Sequence, residues 1–154
     1  MLFRSVDLHT KPTDSHQYLL PNSCHPKHCS KNIPYSLALR IKRICSDPNT
    51  FEIRATELSQ HLINRGYNQT DILNAIQNAR ERNRNDLLKY KHKPETSLKR
   101  TPFVLTYHPN KPNIKIILNT HWPTIQSSAQ LKDIFPEKPI IAYRKPKSLR
   151  DIFV

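Results

Sequence analysis

The sequence predicts a mainly helical α+β chain, and three observations point to that class. Apolar residues recur at helical spacing through the middle of the chain, alternating apolar patterns occur nearer its two ends, and prolines punctuate both. With 13 prolines and a single glycine, turns must be formed largely by Pro, Asn and Asp. The same composition leaves no glycine-rich phosphate loop, which excludes P-loop and dinucleotide-binding folds.

The net charge points to a polyanionic partner. The chain carries 25 Lys and Arg against 12 Asp and Glu, a formal charge of +13 with a pI near 9.9. Nucleic acid relieves the self-repulsion of such a charge, so it is the predicted partner. No stretch approaches the roughly 18 apolar residues of a membrane span. Without a signal-peptide pattern or an even cysteine count, we expect an intracellular protein, in the nucleus or the cytosol.

The N-terminal residues 6–10 are predicted to form a short strand. Val6, Leu8 and Thr10 alternate with polar residues, which is typical of a strand with one buried face. The segment KPTD at 11–14 ends that pattern.

The stretch SCHPKHCSKNIPY at 23–35 concentrates metal-ligating residue types. Tetrahedral zinc usually takes two ligands from each of two segments, and no second pair follows; Cys45 lies beside an apolar stripe, where a buried thiol is ordinary. We therefore predict no metal, no cofactor and no catalytic residue at this stretch. A Cys–His hydrolase built on Cys24 or Cys29 is an alternative, although such dyads usually join distant segments.

Three helices are predicted within residues 31–88. Asn32 is expected to cap the first, with Pro34 in its first turn, and Asp47-Pro48 ends it. The predicted apolar face of this helix comprises Leu37, Ile41 and Ile44.

The second and third helices form the clearest pattern in the chain. Gly66 is predicted to take the left-handed position after the second helix, and Asn68 to cap a third helix over 69–84. Two helices joined by such a turn are a helix-turn-helix arrangement in the broad sense, and helix pairs of this kind also occur as plain helical hairpins with no DNA role. Their predicted apolar faces comprise Phe51, Ala55, Leu58, Leu62, Ile72, Ala75, Ile76 and Ala79.

A basic linker at 89–101 is predicted to lead into a C-terminal strand–helix–strand region at 102–154. TPFVLTYHP and KPIIAYRKP read as strands, and SAQLKDIF as a short helix. A longer helix from about Asn113 is expected to end at Trp122-Pro123. The closing SLRDIFV breaks off in a helical pattern, which suggests a fragment.

Several longer segments of the sequence resemble a known protein family. HTKPTDSHQYL, SCHPKHCSKNIPYSLALRIKRICSD, TPFVLTYHPN, HWPTIQSS and LKDIFPEKPIIAYRKPKSLRDIFV together resemble the reverse-transcriptase polyprotein of Penelope-like retroelements. The resemblance implies the region after the catalytic palm: palm end and hinge at 1–30, thumb-like helix-turn-helix domain at 31–88, and connector at 102–154. It also implies that the stretch at 23–35, with Lys27 and Lys31, is a hinge at the junction of palm and thumb. No Asp-Asp pair is present to hold polymerase metals, and no GIY-YIG endonuclease motif occurs, so neither activity carries over.

Charge and resemblance together predict a nucleic-acid-binding, non-enzymatic fragment that grips an RNA–DNA hybrid or duplex DNA, mainly by its backbone. Alternatives are a sequence-specific helix-turn-helix protein, which would read bases with Asn74, Gln77 and Asn78, and a non-functional relic of a decayed element. The oligomeric state stays undetermined. The predicted contact residues are Lys27, Lys31, Arg40, Lys42, Arg43, Arg80, Arg82, Arg84, Lys89, Lys91 and Lys93.

Overall fold

The computed structural model describes residues 5–90 and 100–147, which hold six helices and two strands. The mainly helical α+β class is therefore confirmed. These residues form two compact units, one of residues 5–23 and 27–90 and the other of residues 24–26 and 100–147. The elements are α1 (Lys27–Ile44), α2 (Pro48–Asn64), α3 (Gln69–Arg80), α4 (Arg84–Leu88), β1 (Pro102–Thr106), α5 (Ile114–Ser127), α6 (Ala129–Ile134) and β2 (Ile140–Arg144).

In the helical unit, α1 packs against both α2 and α3 around one apolar core. The core face of α1 is rotated from the predicted one: Ile41 is buried as expected, but Ser30, Pro34 and Ala38 are buried with it, while Leu37 and Ile44 are only half-buried. Small side chains on this face let α1 approach two helices at once. The apolar faces predicted for α2 and α3 are all buried: Phe51, Ala55, Leu58, Leu62, Ile72, Ala75, Ile76 and Ala79.

Helix α1 begins at Lys27, so the predicted cap at Asn32 is wrong. Pro34 consequently lies inside the helix, where it cannot donate a hydrogen bond to the carbonyl of Ser30. Ser30 and Pro34 are both buried and lie four residues apart on one face. An interior proline costs about 3 kcal/mol in an isolated helix, and tertiary packing of this face offsets that cost.

The turn between α2 and α3 follows the prediction. Gly66 has φ of 82°, and the Tyr67 N–H donates to the Leu62 carbonyl at 3.1 Å, which is the long-range bond of a Schellman motif. Asn68 then caps α3, because its side chain accepts from the Thr70 N–H at 2.8 Å. The glycine and the asparagine thus end one helix and begin the next.

The third helix is shorter than predicted. It ends at Arg80, and α4 begins separately at Arg84. Asn83 interrupts the helical run because its side chain accepts from the Asn85 N–H at 2.9 Å, as an N-cap does. Arg82 therefore lies in the connection between two helices, and the expected single cationic face over 80–84 does not form.

The predicted strand at residues 6–10 is also wrong. This stretch belongs to an extended segment, the N-terminal strap (residues 5–20), which contains no strand. The Val6 N–H donates to Ser46 Oγ at 2.8 Å, and the Val6 carbonyl accepts from the Ser46 N–H at 3.0 Å. Arg54 donates to both oxygens of Asp7, which lowers the pKa of that carboxyl to about 2. The strap thus satisfies its backbone on a helix–helix turn, because no partner strand pairs with it.

In the second unit, β1 and β2 pair in parallel, with Pro102 opposite Ile140 and Thr106 opposite Arg144. Both predicted C-terminal strands are thereby confirmed. Parallel strands need a crossover connection, which the short helices α5 and α6 supply.

Helix α5 does not end at Trp122-Pro123 as predicted but continues to Ser127. Trp122 is buried, with 8% of its surface exposed. Burial of this large ring fixes the middle of α5, so Pro123 is accommodated within the helix.

Replacing Gly66 by alanine is expected to destabilise the helical unit by about 1–2 kcal/mol, because a Cβ disfavours the left-handed backbone conformation. No atom lies within 4 Å of a Cβ built there, so the effect comes from backbone conformation and not from a clash. Gly66→Asn is the matched control, since asparagine tolerates this conformation better. Urea denaturation of the three proteins checks the prediction, and equal losses for alanine and asparagine contradict it.

Candidate nucleic-acid interface

Helices α1 and α3 border a groove of about 900 Å³ in the helical unit. The N-terminal half of α1 lines one side, and the exposed face of α3 lines the other. We call this the α1–α3 groove and define it by Lys27, Lys31, Tyr35, Asp71, Asn74, Asn78 and Arg82.

Helical spacing explains why these residues share the groove. Lys27, Lys31 and Tyr35 recur every four residues and form one stripe along α1. On α3, Asn74 and Asn78 are likewise four residues apart, and both are exposed. The two stripes face the same groove because α1 and α3 pack closely.

The groove is predominantly cationic. Lys27, Lys31 and Arg82 are exposed there, and Asp71 is the acidic residue among its lining. The first turn of α1 contains no acidic residue, so the positive end of the helix dipole adds to the charge of Lys27. Arg82 Nε donates to the hydroxyl oxygen of half-buried Tyr35 at 3.3 Å, which holds the guanidinium at the groove.

Three other predicted contact residues are engaged within the fold. Arg80 forms a bidentate ion pair with Glu52, at 2.7 and 2.8 Å, and this bond lowers the pKa of the Glu52 carboxyl. Arg84 Nε donates to the carbonyl of Arg43 at 3.1 Å and so caps the C-terminal end of α1. Lys42 lies over a core aromatic ring, with Nζ 5.0 Å from the ring centroid of Phe51.

The remaining predicted residues are dispersed. Lys89 pairs with Asp86 at 2.7 Å. Arg40 and Arg43 are exposed on α1, but neither lines the α1–α3 groove. Lys91 and Lys93 lie outside the described residues. The structure therefore brings together Lys27, Lys31 and Arg82 of the predicted set.

Sequence reasoning placed Lys27 and Lys31 in a hinge rather than on a helix. The signal that identifies the helix is the four-residue repeat of Ser30, Pro34 and Ala38, all of which are buried. Pro34 obscures this repeat, because a proline is expected in the first turn of a helix and not in its interior. Asp71, on the opposite side of the groove, was likewise not anticipated as a lining residue.

The cysteines show no metal-site geometry. Within residues 5–90 and 100–147, no three His, Cys, Asp or Glu side chains lie close enough together to hold a metal ion. Cys24 is exposed and Cys29 half-buried, whereas Cys45 is buried and its burial raises the pKa of its thiol. In the same described ranges, no helix is both long and apolar enough to cross a bilayer.

A second cavity, of about 300 Å³, lies beneath the N-terminal strap. At its rim the rings of His16 and His61 are stacked, with centroids 3.7 Å apart and planes inclined by 18°. Burial lowers the pKa of His61, and His16 lowers it further, while Glu57 and Asp14 act in the opposite direction. The neutral form of His61 is therefore the one that fits the folded strap.

Residues at the start of the α2–α3 turn hold the C-terminal end of the strap. Arg65 Nε and Nη2 donate to the Tyr18 carbonyl at 3.0 and 2.8 Å. The hydroxyl of buried Tyr67 donates to the Leu19 carbonyl at 2.7 Å. The strap and the turn are thus one structural assembly.

Comparison with known families identifies part of the helical unit. Residues 17–77 match the animal helix-turn-helix domain. The matched segment includes the end of the strap, all of α1 and α2, the Gly66 turn and most of α3. No curated protein matches the chain, and no solved structure matches it. The predicted helix-turn-helix segment is thus supported, and such domains typically bind nucleic acid rather than catalyse reactions.

Acidification below the ordinary histidine pKa of 6.5 is expected to destabilise the helical unit. Because the pKa of His61 is lowered on folding, the unfolded chain binds more protons than the folded one in this range. The stability that is present above the ordinary pKa of 6.5 is therefore lost as the pH falls through the lowered pKa of the folded state. Thermal unfolding followed by circular dichroism measures this, and His61→Gln should flatten the dependence. His108→Gln, in the other unit, is the control; an unchanged pH dependence in His61→Gln contradicts the prediction.

Proposed function

We propose that the α1–α3 groove binds the phosphate backbone of a nucleic acid. The observation that carries this proposal is the convergence of Lys27, Lys31 and Arg82 on one groove, while Arg80, Arg84 and Lys42 are engaged within the fold. The helix-turn-helix match supports the same class of partner.

The arrangement suits backbone contact. Lys27 and Lys31 are about 6 Å apart along the axis of α1, so they can reach separate phosphates of one strand. The N-terminus of α1 favours an anion at Lys27, since its dipole is positive there. Arg82 approaches from the other side of the groove, where its guanidinium can bind a phosphate bidentately.

More specifically, we propose that the chain is the duplex-gripping segment that follows the palm of a Penelope-like reverse transcriptase, with a binding role and no catalytic one. The long strings that resemble that polyprotein support this assignment, as does the mainly helical order of elements. The partner would then be an RNA–DNA hybrid or duplex DNA, held without strong sequence preference. The parts proposed on this basis are a hinge at 1–30, a thumb at 31–88, a linker at 89–101 and a connector at 102–154.

The double substitution Lys27→Ala/Lys31→Ala is expected to weaken duplex binding about tenfold and to reduce the slope of log K against log salt by about 1.8. The measurement is fluorescence anisotropy of a labelled hybrid duplex titrated at several salt concentrations. Lys11→Ala/Lys89→Ala is the matched control, because it removes two exposed lysines that do not line the groove. Equal losses for both pairs contradict the groove assignment, and no binding at low salt contradicts the function and favours a decayed relic.

A second candidate function, sequence-specific DNA binding, has one observation in its favour. Asn74 and Asn78 lie on the groove face of α3, and asparagine pairs with the major-groove edge of adenine. Gln77 is less suited to base reading, since its side chain already bonds Arg80 and Glu81.

Asn74→Ala/Asn78→Ala distinguishes these two functions. If the groove reads only the backbone, the variant should bind duplexes selected from a random pool and unselected duplexes with an unchanged ratio of affinities. Base reading predicts instead a drop of about fivefold or more in that ratio, because each specific bidentate contact contributes about 1–3 kcal/mol of discrimination. Competition binding at matched salt measures the ratio.

A further inference from the structure

The second unit carries more net charge than the helical one. Residues 100–147 contain eight Lys and Arg against two acidic residues, Asp133 and Glu137. Residues 5–90 contain twelve Lys and Arg against eight Asp and Glu. The charge that predicts a polyanionic partner is therefore concentrated outside the helix-turn-helix segment.

Charges of the two signs are separated along the β1–β2 sheet. Arg100 and Glu137 precede the two strands and pair with each other at 2.9 Å, so they lie at the amino edge of the sheet. Residues 107–132 and 145–147, which follow the strands, contain no Asp or Glu. Because parallel strands end at the same edge, the cations that follow β1 and β2 collect at the carboxyl edge.

Hydrogen bonds hold the cations of this edge together. Arg144 Nε donates to Thr106 Oγ1 at 2.9 Å, and Lys111 Nζ donates to the Thr106 carbonyl at 3.1 Å. The Tyr107 N–H extends the ladder by donating to the Arg144 carbonyl at 3.0 Å. Lys145 and Lys147 follow directly and are exposed.

Two tyrosines stand beside these cations. The rings of Tyr107 and Tyr143 meet edge to face, with centroids 5.7 Å apart and planes at 85°. Tyr143 is 42% exposed, so part of its ring is open to a ligand. We call Tyr107, Lys111, Tyr143, Arg144, Lys145 and Lys147 the carboxyl-edge cluster.

We propose that the carboxyl-edge cluster binds single-stranded nucleic acid, with its cations on the phosphates and Tyr143 stacked on an unpaired base. Exposed aromatic rings interleaved with Lys and Arg are the recurring means by which proteins hold single strands. A base in a duplex offers no free face to such a ring, which favours a single strand over a duplex at this site. The proposal does not rest on duplex binding by the α1–α3 groove.

The charge contribution is tested in the full chain by anisotropy of a labelled oligothymidylate of about 20 nucleotides. Lys145→Ala/Lys147→Ala is expected to weaken binding about tenfold and to lower the salt slope by about 1.4. Lys132→Ala/Lys138→Ala removes two exposed lysines that precede β2 and is expected to have little effect. Equal weakening by the two pairs overturns the proposal, because it indicates non-specific attraction by net charge.

The stacking contribution is tested with Tyr143. Tyr143→Ala is expected to weaken oligothymidylate binding about fivefold or more, whereas Tyr143→Phe, which keeps the ring, should bind like the wild type. Stacking is overturned if Tyr143→Ala leaves the affinity for oligothymidylate unchanged, or if Tyr143→Phe loses as much affinity as Tyr143→Ala. Far-UV circular dichroism establishes whether each variant is folded. If Tyr143→Ala does not fold, the Lys145→Ala/Lys147→Ala variant still tests the site.

Two further measurements separate this site from its alternatives. Lys27→Ala/Lys31→Ala should leave oligothymidylate binding intact even if duplex binding is lost. The assignment to the carboxyl edge is overturned if Lys27→Ala/Lys31→Ala loses single-strand binding and Lys145→Ala/Lys147→Ala keeps it. Phosphatidylserine vesicles test an anionic lipid surface as the alternative ligand. The proposal is overturned in favour of a membrane if vesicle binding depends on Lys145 and Lys147 and oligothymidylate binding does not.

Discussion

The close packing of α1 against α3 is the contact on which the helical unit depends. Small residues make up much of both buried faces: Ser30, Pro34 and Ala38 lie beside Ile41 on α1, and α3 buries Ala75 and Ala79 beside two isoleucines. Side chains this small allow two helix backbones to approach, and the dense interior leaves α1 little freedom to rotate. The exposed lysines of α1 are consequently held opposite the asparagines of α3. The groove and its cations are thus a consequence of core packing, and α1 tolerates an interior proline for the same reason.

A high net charge does not identify a binding surface by itself. Several of the cations in the helical unit form intramolecular contacts. Arg54 holds the strap through Asp7, Arg80 pairs with Glu52, and Arg84 caps α1. Exposed ion pairs such as the first two contribute little individually to stability, because water screens them. Their effect on function is larger, because a guanidinium engaged with a carboxylate is less available to a phosphate. Of the predicted contact residues, Lys27, Lys31 and Arg82 line the α1–α3 groove, and other cations lie in the carboxyl-edge cluster.

On the two proposals, the two units would bind different forms of nucleic acid. The helical unit presents lysines along a rigid helix beside a groove, which matches the regular backbone of a duplex. The second unit presents an exposed tyrosine among lysines at the end of two short strands, which matches unpaired bases.

The sequence by itself determined the helices α2 and α3, the turn that joins them and the two C-terminal strands. Each of these rests on local chemistry: Gly66 adopts the left-handed conformation without strain, Asn68 caps its own helix, and apolar residues repeat with the period of the element. Local chemistry also explains the errors, since Pro34, Val6 and Pro123 were interpreted by their usual preferences. Tertiary structure decided the start of α1, the unpaired strap and the continuation of α5, because burial offsets a local cost that no window of sequence reveals. It alone decided which cations are engaged and which converge, because a side chain's partner is set by the packing of distant segments.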